Sequence, residues 1–160
     1  MKINSVMSIE DLPPLLANNA RLLGLDVGTK TIGMALSDVT RSVATPFDTI
    51  RRSKFAADAK TIREVVEQNQ VGGLVIGLPI NLDGSEGPRA QSTRAFARNL
   101  AAHVEVPIVF WDERLSTAAV ERHLIEADVT RKRRAEVVDR MAAAYILQGA
   151  LERLRRGPLR

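Results

Sequence analysis

The spacing of hydrophobic residues varies along the chain, and the first hydrophobic segments predict strands. RLLGLDV (21–27) is a nearly continuous apolar run, which is typical of a strand covered on both faces. Gly28 permits a tight turn, and TIGMALSD (31–38) returns as a second strand. SVATPFDTI (42–50) is rich in β-branched and aromatic residues and predicts a third strand. The domain therefore begins with three antiparallel strands.

Residues 53–104 alternate between helical and strand spacing. SKFAADAKTIREVVEQNQ (53–70) predicts a helix with Ser53 as its candidate N-cap. Its apolar positions at helical spacing are Phe55, Ala59, Ile62, Val65 and Val66. VGGLVIGLPI (71–80) predicts a buried strand that ends in the loop NLDGSEGPRA (81–90). QSTRAFARNLAAHV (91–104) follows as a second helix.

The C-terminal third predicts one more strand and two helices. VPIVFWDE (106–113) is the fifth strand, and RLSTAAVERHLIEAD (114–128) is a helix capped by Ser116 or Thr117. The alanine-rich segment 134–156 is a long fourth helix. Three antiparallel strands followed by alternating helices and strands imply an α/β fold. Its sheet is mixed and five-stranded, with helices on both faces and right-handed crossovers.

Length and composition indicate one globular domain. The 160 residues are 45% hydrophobic and 26% charged, which is ordinary for a folded soluble protein. We expect an N-terminal tail at 1–20, a single domain at 21–156 and a C-terminal tail at 157–160. The sequence contains neither a signal-peptide pattern nor a bilayer-length apolar stretch. The default expectations are a cytoplasmic location and no membrane partner.

The net positive charge is compatible with a polyanionic partner. The formal net charge is +4, and basic residues cluster in RKRR (131–134) and RLRRGPLR (153–160). A solvated helix face explains these clusters equally well. Cysteine is absent from the sequence, so a bound cation would take oxygen ligands or the imidazoles of His103 and His123.

Acidic residues at strand ends are the first candidates for chemistry. Asp26 ends the first strand just before Gly28, although a turn aspartate bonded to nearby amides is the commoner explanation. Asp112 and Glu113 end the fifth strand, where side chains alternate between faces, so only one of them can share a site with Asp26. An ordinary loop start accounts for this pair as well.

Asp139 is the acid with the clearest helical context. It shares its predicted stripe with Ala135, Ala142, Ala143, Ile146 and Ala150. Small residues let a helix approach the sheet closely, which would bring this carboxylate toward the strand ends. A salt bridge to an internal arginine is the alternative. Three converging carboxylates would repel one another unless cations neutralised them, and Mg²⁺ suits such an all-oxygen site.

Four motifs, in this order and spacing, resemble one family. GLDVGTKTIGMALSD, GLPINLDGSEGPRAQ, WDERLST and VVDRMAAAYILQ resemble the YqgF family of ribonuclease H-like proteins, over about Arg21 to Leu154. Members are described as pre-16S rRNA nucleases and as Holliday junction resolvases. The resemblance implies strand order 3-2-1-4-5 with the second strand antiparallel. It also implies a catalytic, metal-binding acidic site at Asp26, Glu113 and Asp139. Asp112 is then a secondary candidate, expected to serve in hydrogen bonding or packing.

The resemblance also bears on phosphate contacts. Many members have arginine after the lysine of the first hairpin, where this chain has Thr31, so a contact there rests on Lys30. Asp83, in the loop after the fourth predicted strand, should lie at the edge of the cleft that contains the acidic site. The other candidates for nucleic-acid contact are Arg89, Arg94 and Arg114. Trp111 and Tyr145 are predicted to be core residues, because aromatics are only 4% of the chain.

The implied function is metal-dependent hydrolysis of phosphodiester bonds in structured nucleic acid, with Mg²⁺ or Mn²⁺ as cofactor. Processing of the 5′ end of pre-16S rRNA is the expected role, and resolution of a four-way DNA junction is the alternative. Two further alternatives are an ATP-binding protein, because D-x-G-T also opens actin-like ATPase hairpins, and a non-catalytic RNA-binding assembly factor. A monomer or a homodimer is expected.

Overall fold

The computed structural model describes residues 6–115 and 134–157, with side chains given from Arg140 onward in the second range. Within these ranges the chain forms one six-stranded sheet and three α-helices. The strands are β1 (Val6–Met7), β2 (Arg21–Val27), β3 (Thr31–Ser37), β4 (Ala44–Arg51), β5 (Val71–Leu78) and β6 (Ile108–Asp112). The helices are α1 (Phe55–Gln68), α2 (Pro88–Leu100) and α3 (Arg134–Arg155).

The sheet order is β1-β6-β5-β2-β3-β4, and β3 runs antiparallel to both of its neighbours. The remaining neighbours pair in parallel. The predicted mixed α/β architecture and the order of the five predicted strands are confirmed. The count of five is wrong within the described residues, because Val6–Met7 adds a sixth strand beside β6. Two residues are too few to produce a readable hydrophobic period.

The segment before β2 is packed against the sheet, although a loose tail was expected. Leu12 is fully buried in the cluster that lies under α3. Two single 3₁₀ turns, Ile9–Asp11 and Pro13–Leu15, flank it. The adjacent prolines prevent a long helix here, but short turns still direct this leucine inward. Arg41 secures the end of the segment by donating to the carbonyl of Ala20 at 2.7 Å.

Helix α1 confirms the predicted helix, but its predicted cap is wrong. Lys54 occupies the N-cap position and makes no side-chain capping bond. Ser53 instead donates its N–H and its hydroxyl to the carboxylate of Asp58, at 3.2 to 3.3 Å. This buried aspartate in the first turn therefore ties the residue before the N-cap to the start of the helix.

Helix α2 spans Pro88–Leu100, so its ends differ by three to four residues from the predicted 91–104. Helix α2 begins at Pro88, earlier than predicted, because proline is well suited to the first helical turn. Helix α3 agrees with the predicted fourth helix. The predicted helix at 114–128, with its caps Ser116 and Thr117, lies outside the described residues except for a 3₁₀ turn at Glu113–Leu115. No described helix has the length and apolarity needed to cross a bilayer.

Close approach of α3 to the sheet depends on glycines in the strands. A Cβ placed on Gly24 of β2 would lie 2.8 Å from the Cβ of Leu147 and 3.0 Å from the carbonyl oxygen of Ala143. A Cβ on Gly77 of β5 would collide with the terminal Cδ1 of Ile146. The helix therefore rests on the backbone of two adjacent strands, at the middle of β2 and near the end of β5.

Replacing Gly24 by Ala should destabilise the protein by about 1–3 kcal/mol, because the new methyl group meets backbone and a Cβ that cannot rotate away. Replacing Gly77 by Ala should cost less, since the end of the Ile146 side chain can adopt another rotamer. Chemical denaturation of both variants measures the two losses. Equal losses, or a larger loss for the Gly77 variant, would contradict this description of the helix contact.

Candidate functional site

Two acidic side chains are buried on the α3 side of the sheet, at the carboxyl ends of β2 and β6. Asp26 is 2% exposed and Glu113 is 5% exposed. Side chains alternate along a strand, so Asp26 shares the face of Gly24, which contacts α3. Trp111 of β6 packs in the cluster under the same helix, and Glu113 follows it by two residues. Both carboxylates therefore lie on the same face.

Gly77 separates these two carboxylates. Leu25 pairs with Ile76, so Asp26 and Gly77 are the next residues along two adjacent parallel strands. The carboxyl carbon of Glu113 lies 3.4 Å from the point where a Cβ of Gly77 would be. Ile146 of α3 lies over the same glycine. The absence of a side chain at Gly77 therefore lets the helix and the Glu113 carboxylate both approach the backbone at the end of β5.

The third predicted acid, Asp139, belongs to α3, but its side chain lies outside the described residues. Its predicted stripe is buried where side chains are described, at Ala142, Ala143, Ile146 and Ala150. Ala143 and Ile146 are the residues that contact Gly24 and Gly77. Position 139 lies about one turn before Ala143 on this stripe. Convergence of its carboxylate on the other two stays a prediction.

Asp112 is held by an arginine instead of facing Gly77. Arg114 donates to its carboxylate through Nη2 at 2.7 Å, through Nε at 3.1 Å and through its backbone N–H at 2.9 Å. These hydrogen bonds hold the pKa of Asp112 below its ordinary value. The same pairing raises the pKa of Arg114. Asp112 thus remains ionised and orders the turn that carries Glu113.

The four predicted phosphate-contacting cations differ in their surroundings. Lys30 is exposed in the turn between β2 and β3. Arg89, in the first turn of α2, donates to the carbonyl of Val27 at 3.4 Å, next to Asp26. Arg114 lies beside the loop between β5 and α2, where a Cβ on Gly84 would lie 3.6 Å from its Nη1. These three residues lie near the carboxyl ends of the central strands.

Arg94, which is also predicted to contact phosphate, is already bound by other groups of the protein. Its guanidinium donates to both carboxylate oxygens of Glu86, at 2.6 and 2.8 Å. It also lies 5.1 Å from the ring centroid of Phe110. The hydrogen bonds from Arg94 lower the pKa of Glu86. This arginine therefore braces α2 against β6 and the preceding loop, and a phosphate would have to compete with a bidentate carboxylate.

Arg52 is a cation that the sequence analysis missed. It donates to the carbonyl of Gly28 at 2.7 Å, and its guanidinium lies 5.4 Å from the ring centroid of Phe96. Its backbone N–H donates to the carbonyl of Lys30 at 2.8 Å. Arg52 therefore holds the hairpin turn between β2 and β3, which follows Asp26. Only the spatial proximity of β4 to this turn identifies it, because the sequence around Arg52 has no distinguishing pattern.

The donor set fits a hard divalent cation. Asp26 and Glu113 supply carboxylate oxygens, which Mg²⁺ and Mn²⁺ prefer over sulfur. Within residues 6–115 and the described side chains of α3, no three acidic or imidazole groups are close enough together to form a complete metal site. A carboxylate at position 139 would supply the third. The described pair is therefore compatible with the metal centre that the motifs imply.

Curated relatives match nearly the whole chain. A protein of Methylocella silvestris is 60% identical over 151 residues, which are 94% of this chain and 94% of the relative. A protein of Paramagnetospirillum magneticum is 62% identical over 147 residues, which are 92% of this chain and 95% of the relative. Both bear the name "Putative pre-16S rRNA nuclease".

Solved structures with similar folds are resolvases of low sequence identity. RuvC of T. thermophilus in complex with Holliday junction substrate aligns with a TM-score of 0.54 at 12% identity, over 86% of this chain and 98% of that one. The yeast mitochondrial Holliday junction resolvase Ydc2 aligns with a TM-score of 0.50 at 12% identity, over 92% and 83%. These alignments confirm the ribonuclease H-like fold.

A family profile gives the most specific match. The profile of the RuvX family, described as a Holliday junction resolvase, matches residues 20–153. This range contains all four motifs, and the match agrees with the resemblance to the YqgF family. The chain therefore belongs to the RuvX family, which is the YqgF family that its motifs indicated.

Proposed function

We propose that this protein is a divalent-metal-dependent nuclease that hydrolyses phosphodiester bonds of structured nucleic acid. One observation carries the proposal: two buried carboxylates, Asp26 and Glu113, lie on the same face at the carboxyl end of the sheet, on either side of Gly77. Ligands of open α/β sheets bind at this end. Membership of a family named for nucleases supports the same chemistry.

Asp26, Glu113 and Asp139 would hold the cation. When bound, the metal supplies an activated water and stabilises the leaving oxygen of an in-line displacement. Asp26 is the central ligand because it ends an interior strand of the sheet and shares the face against which α3 packs. Two arginines hold the backbone that follows Asp26, since Arg89 binds the carbonyl of Val27 and Arg52 binds that of Gly28. These bonds order the turn directly after the carboxylate.

Positive groups around the carboxylates would bind the nucleic-acid backbone. Lys30 is exposed in the hairpin, and the first turn of α2 contains Arg89 and no acidic residue. The amino end of a helix favours an anion, because its free N–H groups and its dipole both point toward it. A phosphate approaching Asp26 would therefore meet positive charge from both the hairpin and α2.

The preferred substrate is the 5′ end of the pre-16S rRNA, and the site of action is the cytoplasm. The names of the relatives at about 60% identity support this choice. A four-way DNA junction is the second candidate, because the family profile is described as a Holliday junction resolvase. The domain at 21–156 would act as a monomer on RNA. A junction has two-fold symmetry and would favour a homodimer.

A cleavage assay with both substrates tests the proposal. The purified chain and its Glu113→Gln variant are incubated with a transcript carrying the 5′ leader of 16S rRNA, or with a synthetic four-way DNA junction, each with Mg²⁺. We expect the wild type to shorten the leader, and the variant to be slower by about 10²-fold or more. Faster cleavage of the junction would favour the second candidate. Equal activity of the two proteins would contradict the proposed site.

A further inference from the structure

The loop between β5 and α2 exposes a leucine at its tip. Leu82 is 94% exposed, whereas the other exposed large apolar side chains among the described residues range from 41% to 69%. An isolated apolar side chain on a protein surface is ordinary by itself. Leu82 differs in two respects. Hydrogen bonds hold the turn that carries it, and this turn lies beside the candidate site.

Hydrogen bonds hold the turn that carries Leu82. The N–H of Asn81 donates to the carbonyl of Ser85 at 2.9 Å, and the N–H of Gly84 donates to the carbonyl of Asn81 at 2.8 Å. Asp83 accepts from the N–H of Ser85 at 2.8 Å and from its hydroxyl at 2.6 Å. The turn thus presents its leucine to solvent in a fixed position, although the fold gains no burial from it.

The turn lies beside the candidate site. The loop starts after Leu78, which pairs with Asp112 at the end of β6. A Cβ on Gly84 would lie 3.6 Å from Nη1 of Arg114. The hydrogen bonds from Ser85 lower the pKa of Asp83, and the positive charge of Arg114 contributes to the same shift. The loop that exposes Leu82 therefore lies beside the guanidinium of Arg114, the residue that directly follows Glu113 in the chain.

We infer that Leu82 is a wedge that inserts between neighbouring bases of the bound nucleic acid while Nη1 of Arg114 contacts the adjacent phosphate, since Nε and Nη2 of this arginine bind Asp112. The inference rests on the proposed function and describes how the substrate is held. Apolar side chains inserted between base steps unstack them and bend the duplex. A cation beside the wedge matches the phosphate that accompanies each base. Paired nucleic acid would thereby be opened next to the bond to be cut.

Fluorescence of 2-aminopurine tests the wedge, because this base brightens when it is unstacked. The probe is a synthetic RNA stem with 2-aminopurine at successive positions, and the protein carries Glu113→Gln so that the stem stays intact. We expect one position to brighten on binding. Adding Leu82→Ser should abolish this increase and weaken binding about 3- to 10-fold, whereas Leu82→Phe should preserve both.

The control is Leu15→Ser, because Leu15 is an exposed leucine in the 3₁₀ turn before β2. It should leave the fluorescence increase and the affinity unchanged. An unchanged increase in the Leu82→Ser protein would overturn the inference, because the base would then be unstacked by another part of the protein. Failure of the wild type to cleave any substrate would refute the proposed function separately, since the fluorescence measurement requires no cleavage.

Discussion

Replacing Asp26 by Asn should lower the single-turnover rate of phosphodiester cleavage by about 10³-fold or more, with little change in stability. Asparagine has the shape of aspartate but carries no charge, so it cannot neutralise a divalent cation. The residue is 2% exposed, and the amide is expected to occupy the same space. A quenched-flow or gel assay with a 5′-leader transcript and saturating protein measures this rate.

The matched control is Asp112→Asn. Asp112 lies in the same acidic motif as Glu113, but its carboxylate is bound by Arg114. Its replacement should therefore lower the rate far less than the loss of Asp26. Thermal unfolding of both variants confirms that they are folded. Similar losses of activity in the two variants would mean that the acids contribute only a general negative potential, which would contradict a specific ligand role for Asp26.

Removing divalent cations should reduce cleavage to the background rate, and adding Mg²⁺ or Mn²⁺ should restore it. The reason is electrostatic, because two carboxylates this buried bind an anionic phosphate only when positive charge lies between them. The assay compares the protein in excess chelator with the same sample after the metal is returned. Addition of Na⁺ at equal ionic strength is the control. Full activity in chelator would exclude a metal-dependent mechanism.

The sheet could be predicted from sequence because most of its strands have strong local patterns. The continuous apolar runs of β2 and β5 indicated strands buried on both faces, and the structure confirms both. The exception is β1, whose two residues Val6–Met7 are defined only by their pairing with β6. Pairing between distant segments leaves no local pattern, so the sixth strand could not be predicted.

Strand alternation predicted one feature of the candidate site. Alternation indicated that only one of Asp112 and Glu113 could join Asp26, and the structure places Glu113 beside Gly77. The partners of arginines were not predictable, because long side chains reach groups far away in the chain. Arg94 binds Glu86, and Arg52 binds the hairpin. Only tertiary proximity determines these contacts.

Binding of Mn²⁺, measured by electron paramagnetic resonance, is the most direct test of the metal site. The free ion is counted in titrations of the wild type and of Asp26→Asn, Glu113→Gln, Asp139→Asn and Asp112→Asn. We predict that each of the first three substitutions weakens binding at least about tenfold, whereas Asp112→Asn retains nearly wild-type affinity. Unchanged affinity in the Asp26, Glu113 or Asp139 variant would contradict convergence of these carboxylates on one cation.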